Sequence, residues 1–338
     1  MEANTRTKAT RPGILLVLAT LAMLLVSMVG AGAAGAQGEA APNKPEQANC
    51  ATGRTLPVSK ISLQLWTFNR FIGSGAGAPA GMTPGATTAE RLEQVLAFLA
   101  EAGYRNIEPF SFHGLTAEQF DALAQEYGLK VLSRHMSTNE ANWPTNLADA
   151  KLLGQRYTGS GGFASPGISS YQNVLATAET LNRLGELSVK NGTGKIFGHN
   201  HASEFFTKYM DDGVLKSAWQ ILVENTDPRY VTFQLDVGWA TIAGEDAVAL
   251  VEEFGDRIEL LHVKDAIVTT PQTGSGPGQG GVWMQTTIGQ GDVDWASLFA
   301  AAQGDVKLYV IEMDPPSNTW DPFAFAADSF QYVDCLTF

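Results

Sequence analysis

Residues 230–263 read YVTFQLDVGWATIAGEDAVALVEEFGDRIELLHV, and this stretch decides the fold. YVTFQLD at 230–236 is a β-prone run, the segment 244–254 is helical and closed by Gly255, and IELLHV at 258–263 is a second β-prone run. Strand, helix and strand in close succession make a βαβ unit, whose two strands run parallel because the helix carries the chain back to the starting edge. Each closes on a polar residue, Asp236 in one and His262 in the other.

The same alternation extends outward in both directions. ISLQLW at 61–66 is a first strand, and Thr87 with Glu90 has the spacing of a capping box for the helix that follows. Leu92, Val95, Leu96 and Leu99 share one face of that helix, and Gly103 suits its stop. NIEPF at 106–110 is a second strand, Thr116 and Gln119 cap a second helix ending at Gly128, and LKVLS at 129–133 is a third strand. A helix is expected at 144–153, a weaker strand near 155–160, a long helix at 171–190 and a fifth strand, KIFGH, at 195–199. A helix at 214–224 precedes the opening stretch; a helix at 294–303, the strand KLYVIE at 307–312 and a last helix at 322–335 follow it. Eight strand–helix units fit an α/β fold of the (β/α)8 TIM-barrel type, a single domain over 58–338. An open doubly wound sheet is the rival, but no G-x-G-x-x-G follows the first strand.

The N-terminal segment lies outside this pattern. Arg6, Lys8 and Arg11 precede an almost wholly apolar run at 14–29, and AGA follows at 31–33 and 34–36. That is the pattern of a secretory signal peptide over 1–36, with an uncleaved membrane anchor as the alternative. A flexible linker rich in Ala, Pro, Asn and Gln is expected at 37–57. The expected location is secreted or periplasmic, with no stable membrane association once the signal is removed. Cys50 and Cys335 then sit at opposite ends of the mature chain and can pair in an oxidising compartment.

The formal net charge over 338 residues is −13, and removal of 1–36 takes it to −15. An acidic chain has no counterion-release drive toward DNA or RNA, which excludes nucleic acid as the expected partner. With 44% hydrophobic and 17% charged residues, the composition is that of an ordinary globular domain.

In a barrel of this type, chemistry sits at the C-terminal ends of the strands. Those ends carry Glu108, then Ser133-Arg134-His135, His199-Asn200-His201 with Glu204 beyond, Asp236, His262 with Lys264 and Asp265, and Glu312 with Asp314. Taken singly, a His at a strand end is an ordinary hydrogen-bonding residue and an Asp there is an ordinary helix cap. His, Asp, His and Glu on four successive strands form a mixed N/O donor set for one divalent cation, suited to Mn, Zn, Co or Fe(II) better than to Mg. Trp66, Phe68, Phe110 and Trp239 add aromatic faces of the kind that stack on sugars, with core packing as the alternative. The Gly-rich loop 267–287 is a candidate lid, or else a plain insertion.

At these residues the sequence resembles the xylose isomerase-like TIM barrels, the sugar phosphate isomerase/epimerase family. The resemblance rests on ISLQLWTF at 61–68, GYRNIEPF at 103–110, GLKVLSRHMS at 128–137 and GHNHASEF at 198–205. ENTDP at 224–228, QLDVGW at 234–239, LLHVKD at 260–265, IGQGDVDW at 288–295 and VIEMD at 310–314 complete it. It implies one metal held by His199, Asp236, His262 and Glu312. The family's sugar epimerases place Glu at the strand-five position, where this chain has His199; His201 and Glu204 are alternative ligands from that strand.

The chemistry implied is polarisation of a sugar carbonyl by the metal, proton abstraction at the neighbouring carbon and an enediolate. Glu312 is the leading base, with His135, His201, Lys264 and Glu108 as acid/base partners, and Trp66, Phe68 and Trp239 as substrate-binding residues. No basic phosphate cradle is present, so a non-phosphorylated sugar is expected. The first reading is a sugar isomerase or epimerase. The alternative is a dehydratase or lyase acting on a keto-sugar or 3-keto-glycoside, which His199 in place of Glu favours. A non-catalytic sugar-binding protein is the third, and the oligomeric state is left open.

Overall fold

The strand–helix alternation is realised as eight parallel strands. In chain order they are β1 (Ile61–Gln64), β2 (Asn106–Glu108), β3 (Lys130–Val131), β4 (Tyr157–Gly159), β5 (Lys195–His199), β6 (Val231–Asp236), β7 (Ile258–Val263) and β8 (Leu308–Ile311). The computed structural model describes residues 50, 52–276 and 278–338, so the signal expected at 1–36 and most of the linker expected at 37–57 lie outside the described residues. β8 pairs with β1, and the continuous ladder runs β3-β2-β1-β8-β7-β6-β5-β4. Between β3 and β4 closure falls to a parallel bridge of His135 with Gly159, in which Met136 N donates to Gly159 O at 2.8 Å. Tyr157 N adds a bond to Leu132 O at 3.2 Å. The result is a TIM-barrel fold.

The helices form where their termini are specified. Thr87 and Glu90 make both halves of the capping box, and so do Thr116 and Gln119. The helix Thr88–Ala102 buries Leu92, Val95, Leu96 and Leu99, each worth about 1.5–3 kcal/mol when fully removed from water. It stops at Gly103, whose φ of 114° is open to glycine and strained for any other residue.

The helix expected at 244–254 begins at Ala247, after a separate short helix at Val237–Ile242, and two further segments differ in kind from the sequence expectation. The helix expected at 214–224 begins only at Ala218, because Val214–Ser217 is a strand paired antiparallel with Lys208–Asp211. Asp212 (φ 46°) and Gly213 (φ 83°) make the tight turn between them, and a two-residue turn of this hand suits the twist of a hairpin. The loop expected at 267–287 is also largely a hairpin: Asp265–Thr270 pairs antiparallel with Val282–Thr286. Its Val268 and Trp283 pack inward with Trp239, Ala202 and Ile242. Ile267, Val282 and Met284 face outward.

Cys50 and Cys335 form a disulfide, and Phe338 N donates to Arg54 O at 3.1 Å, so the start of the described chain is fastened to its end. Among the described residues, no helix is long and apolar enough to cross a membrane.

Candidate active site

Strand alternation builds the site. In a strand every second side chain points the same way. The inward set of β5 is Phe197 then His199; of β6, Gln234 then Asp236; of β7, Leu260 then His262; of β8, Leu308 then Val310. Phe197, Leu260, Leu308 and Val310 pack with Tyr157 as an apolar floor. Register stacks the polar residues above it: His199 lies beside Gln234, Asp236 beside His262, and Gln64 beside Glu108. Glu312, one residue past β8, and Lys264, one past β7, continue the same inward set.

Asp236, His262 and Glu312 bring one donor atom each within 4.8 Å of one another, all buried. His262 Nδ1 lies 3.0 Å from Glu312 Oε2 and 3.6 Å from Asp236 Oδ2. His199 Nε2 approaches the same Asp236 oxygen at 3.8 Å. The other Asp236 oxygen, Oδ1, accepts from Trp239 N at 2.8 Å as the cap of the short helix Val237–Ile242. Asp236 Oδ2 is sealed from solvent and accepts no hydrogen bond; Lys264 Nζ stands 3.2 Å away, near enough for charge attraction but not aligned to donate. A buried carboxylate oxygen without a hydrogen-bond donor, facing two imidazoles and a second carboxylate, fits a divalent cation. A second triplet, His135, His199 and His262, also brings ring nitrogens together.

Electrostatics follow from burial and these contacts. Burial raises the Glu312 carboxyl, but Lys264 and His262 overcome it and hold the group well below the usual carboxylate range. Burial lowers Lys264, and Asp236, Glu312 and Asp314 reverse that and keep the ammonium charged. Burial, reinforced by His262, His135 and His201, pushes His199 well down and keeps it neutral, the form in which imidazole ligates.

Glu108 lies deeper. It is fully buried and receives Gln64 Nε2 at 2.8 Å, His262 Nε2 at 2.9 Å and His135 Nε2 at 3.1 Å on one oxygen. On the other it receives Gln234 Nε2 at 2.9 Å and the Ser133 hydroxyl. Burial raises this carboxyl and the two imidazoles more than reverse it.

Above this layer a cavity of about 400 Å³ opens, lined by Trp66, Phe110, His135, His201, Lys264, Glu312 and Asp314 among others. Trp66 is 40% exposed, packs edge-on against Phe110 at 5.0 Å, and donates from Nε1 to Asp314 Oδ1 at 3.0 Å. His201 sits between His199 and Trp239, with ring centroids 5.1 and 5.6 Å away. Glu204, an alternative ligand from sequence, instead accepts from His201 N and Ser203 Oγ.

The structure thus brings His135, His199, His201, Asp236, His262, Lys264 and Glu312 to one mouth. Trp66 faces the cavity, and Trp239 stands behind His201. Phe68 is corrected: it is fully buried, 5.0 Å from Phe323 and 6.5 Å from Phe98, so it packs the core between barrel and outer helices and touches no ligand space. Glu108 is set beneath the imidazoles and away from the cavity lining.

Sequence reasoning missed Gln64 and Gln234 and named Ser133 without giving it a role. Gln234 stands two residues before Asp236 and Gln64 two before Trp66, so period-two reading from the named residues points to both. It also left Asp265 without a role. The Asp265 carboxylate accepts from Gly289 N at 2.8 Å, Gly291 N at 3.1 Å and Trp295 Nε1 at 2.9 Å, and so ties the 288–295 segment to the end of β7. A Cβ at Gly291 would lie 2.1 Å from Asp265 Oδ1, which is why glycine stands there.

The chain belongs to the xylose isomerase-like TIM barrel family, whose model matches residues 96–322. An inosose dehydratase of Geobacillus thermodenitrificans is 26% identical over 162 residues, 45% of this chain and 51% of that protein. The chain therefore spans about half the length of the curated relatives it matches. A sugar phosphate isomerase/epimerase of Parabacteroides distasonis superposes with a TM-score of 0.63 at 21% identity, over 85% of this chain and 98% of that one. A xylose isomerase-like TIM barrel protein of Mycobacterium smegmatis in complex with magnesium gives a TM-score of 0.55 at 15% identity, over 81% and 95%.

Proposed function

We propose that this member of the xylose isomerase-like TIM barrels is a metal-dependent dehydratase or related lyase acting on a polyhydroxy ketone such as a keto-sugar. The observation that carries the reading is His199 at the end of β5. A two-sided proton exchange at one carbon is served by a pair of carboxylates on opposite faces. Here the strand-five group is a buried, neutral imidazole pointing at Asp236, which equips it as a ligand. The similarity to inosose dehydratases supports the same direction.

His199, Asp236, His262 and Glu312 would hold the cation. It would supply a Lewis acid for the substrate carbonyl oxygen. The protein supplies the rest. His135 and His201 are imidazoles that line the cavity, and an imidazole can serve as general base or general acid. His135, backed by Glu108 at 3.1 Å, is placed to remove the proton beside the carbonyl. The electron pair then forms the carbon–carbon double bond as the β-hydroxyl leaves. His201 or the Lys264 ammonium donates the proton that lets it leave as water. Trp66 and Phe110 offer apolar faces to the C–H side of the sugar.

The test is incubation of the purified protein, loaded with Mn or Zn, with a panel of keto-sugars in D2O. An unsaturated ketone appearing with loss of water supports the proposal. Deuterium incorporated without loss of water supports the isomerase or epimerase reading instead, which the cavity's imidazoles on two strands keep in play. A protein that binds no divalent ion and processes no substrate overturns both.

The extracytoplasmic location is proposed on the signal-like sequence at 1–36 together with the Cys50–Cys335 disulfide, which suits an oxidising compartment.

A further inference from the structure

We propose that Glu108 and Gln234 are positioning residues that fix the tautomers of His135 and His199 and the hydrogen on His262 Nε2, and thereby choose on which side of the imidazoles a cation can bind. The inference deepens the metal-site reading above and rests on it only for its consequence.

The donor pattern is set at Gln64. Its Oε1 accepts from Trp66 N at 3.2 Å, and a backbone N–H can only donate, so the Gln64 amide group must turn its NH2 toward Glu108. A carboxylate offers acceptors only. The remaining neighbours of Glu108 must therefore donate as well. The Ser133 hydroxyl does so, and Gln234 must present its Nε2, 2.9 Å away. Turning the Gln234 amide over would set two oxygens against each other.

With that amide fixed, Gln234 Oε1 points at two rings. His135 Nε2 lies 2.8 Å from it and His199 Nδ1 lies 3.1 Å from it. Both nitrogens must carry hydrogen. His262 Nε2, 2.9 Å from Glu108 Oε1, must carry one too. The second nitrogen of each ring is then the one that can face a cation. For His199 it is Nε2, 3.8 Å from Asp236 Oδ2. For His262 it is Nδ1, which with no cation bound donates to Glu312 Oε2 at 3.0 Å and lies 3.6 Å from Asp236 Oδ2, so a cation between those two carboxylates would take the place of that hydrogen. For His135 it is Nδ1, on the side of Gly161, where a Cβ would come within 2.9 Å.

The consequence separates the two triplets of ligand-type residues. Nitrogens that converge on Glu108 and Gln234 hold protons and cannot ligate, so the three-histidine grouping is a hydrogen-bonded layer. The cation belongs on the Asp236 and Glu312 side, with His199 Nε2 completing an N2O2 set. Glu108 acts through the imidazoles, as outer partners of metal-binding histidines do.

The experiment is a long-range 1H–15N correlation on metal-free protein labelled in histidine, followed by calorimetric titration with Zn2+ and Mn2+. Wild-type His199 is expected to carry its proton on Nδ1. Gln234→Leu should move that proton to Nε2, and Gln234→Leu and Glu108→Gln should each weaken metal binding by about 10–100-fold. A wild-type His199 with its proton on Nε2 overturns the inference. So does a Gln234→Leu variant that is folded and keeps the wild-type tautomer. If Gln234→Leu does not fold, the wild-type tautomer decides. If the tautomers are as stated but wild type binds neither ion, the metal reading fails while this inference stands.

Discussion

At the residue scale, the site is a layer of polar side chains set on an apolar floor, and its parts are separable by mutation. His262→Ala and Asp236→Asn each remove a donor from the buried group around Asp236 Oδ2. Both variants should lose most bound divalent metal, read by elemental analysis of the purified protein. Phe68→Leu should leave metal content and substrate KM unchanged and lower stability by about 1 kcal/mol, because its ring packs only on the core. A pH effect belongs to this scale as well. His113 is lowered to about 4 by burial, and its Nε2 is buried without a partner. The unfolded chain takes up this proton near the ordinary imidazole value of about 6.5. Between those values the unfolded state binds more protons, so this group's contribution to stability falls as pH drops from about 6.5 to about 4 and levels off below. His113→Asn suits the positive φ of 55° and should flatten that part of a stability-versus-pH curve. What the sequence revealed at this scale follows from charge. Histidines and acids at strand ends stand out in a chain with five histidines, whereas Gln64 and Gln234 carry no such mark. Only their register beside Glu108 and His199 shows what they do.

At the scale of elements, the strands and long helices were legible because each has a periodic core face and a chemical terminus. The two hairpins were not. In Lys208–Ser217 the apolar residues Met210, Val214 and Leu215 face solvent, so the pattern that identifies a half-buried strand is inverted. The Asp212-Gly213 turn was the available signal. The hairpin Asp265–Thr270 with Val282–Thr286 is latched to the barrel through Gln285, which donates to Asp314 Oδ2 at 2.8 Å and accepts from Asp314 N at 2.9 Å. Gln285→Ala should speed amide exchange in this hairpin while changing global stability by less than about 1 kcal/mol, as hydrogen-exchange mass spectrometry can show. Asp265→Ala is the contrasting change. It strands the N–H groups of Gly289, Gly291 and Trp295, and should cost about 2–4 kcal/mol in denaturant unfolding.

At the scale of the whole molecule, the acidic balance has a partial address. Asp236, Glu312 and Asp314 gather at one mouth with Glu108 beneath them, where Lys264 and the imidazoles answer them. The Cys50–Cys335 bond closes a loop with a sequence separation of 285. Cys50→Ser with Cys335→Ser should lower stability by about 2–5 kcal/mol and leave metal binding intact, since the bond lies away from the cavity lining. Denaturant curves with and without reductant check the first part and calorimetry the second.

That bond also makes the barrel a covalent ring. The parallel ladder already joins β1 to β8, so the two ends of the described chain flank the same closure. A protease that cuts once in any exposed loop between 50 and 335 would open the ring without separating it into pieces. The nicked protein would keep its full mass on a non-reducing gel and fall into two fragments only when a thiol is added. Damage to one loop would then leave the eight strands tethered as a single body.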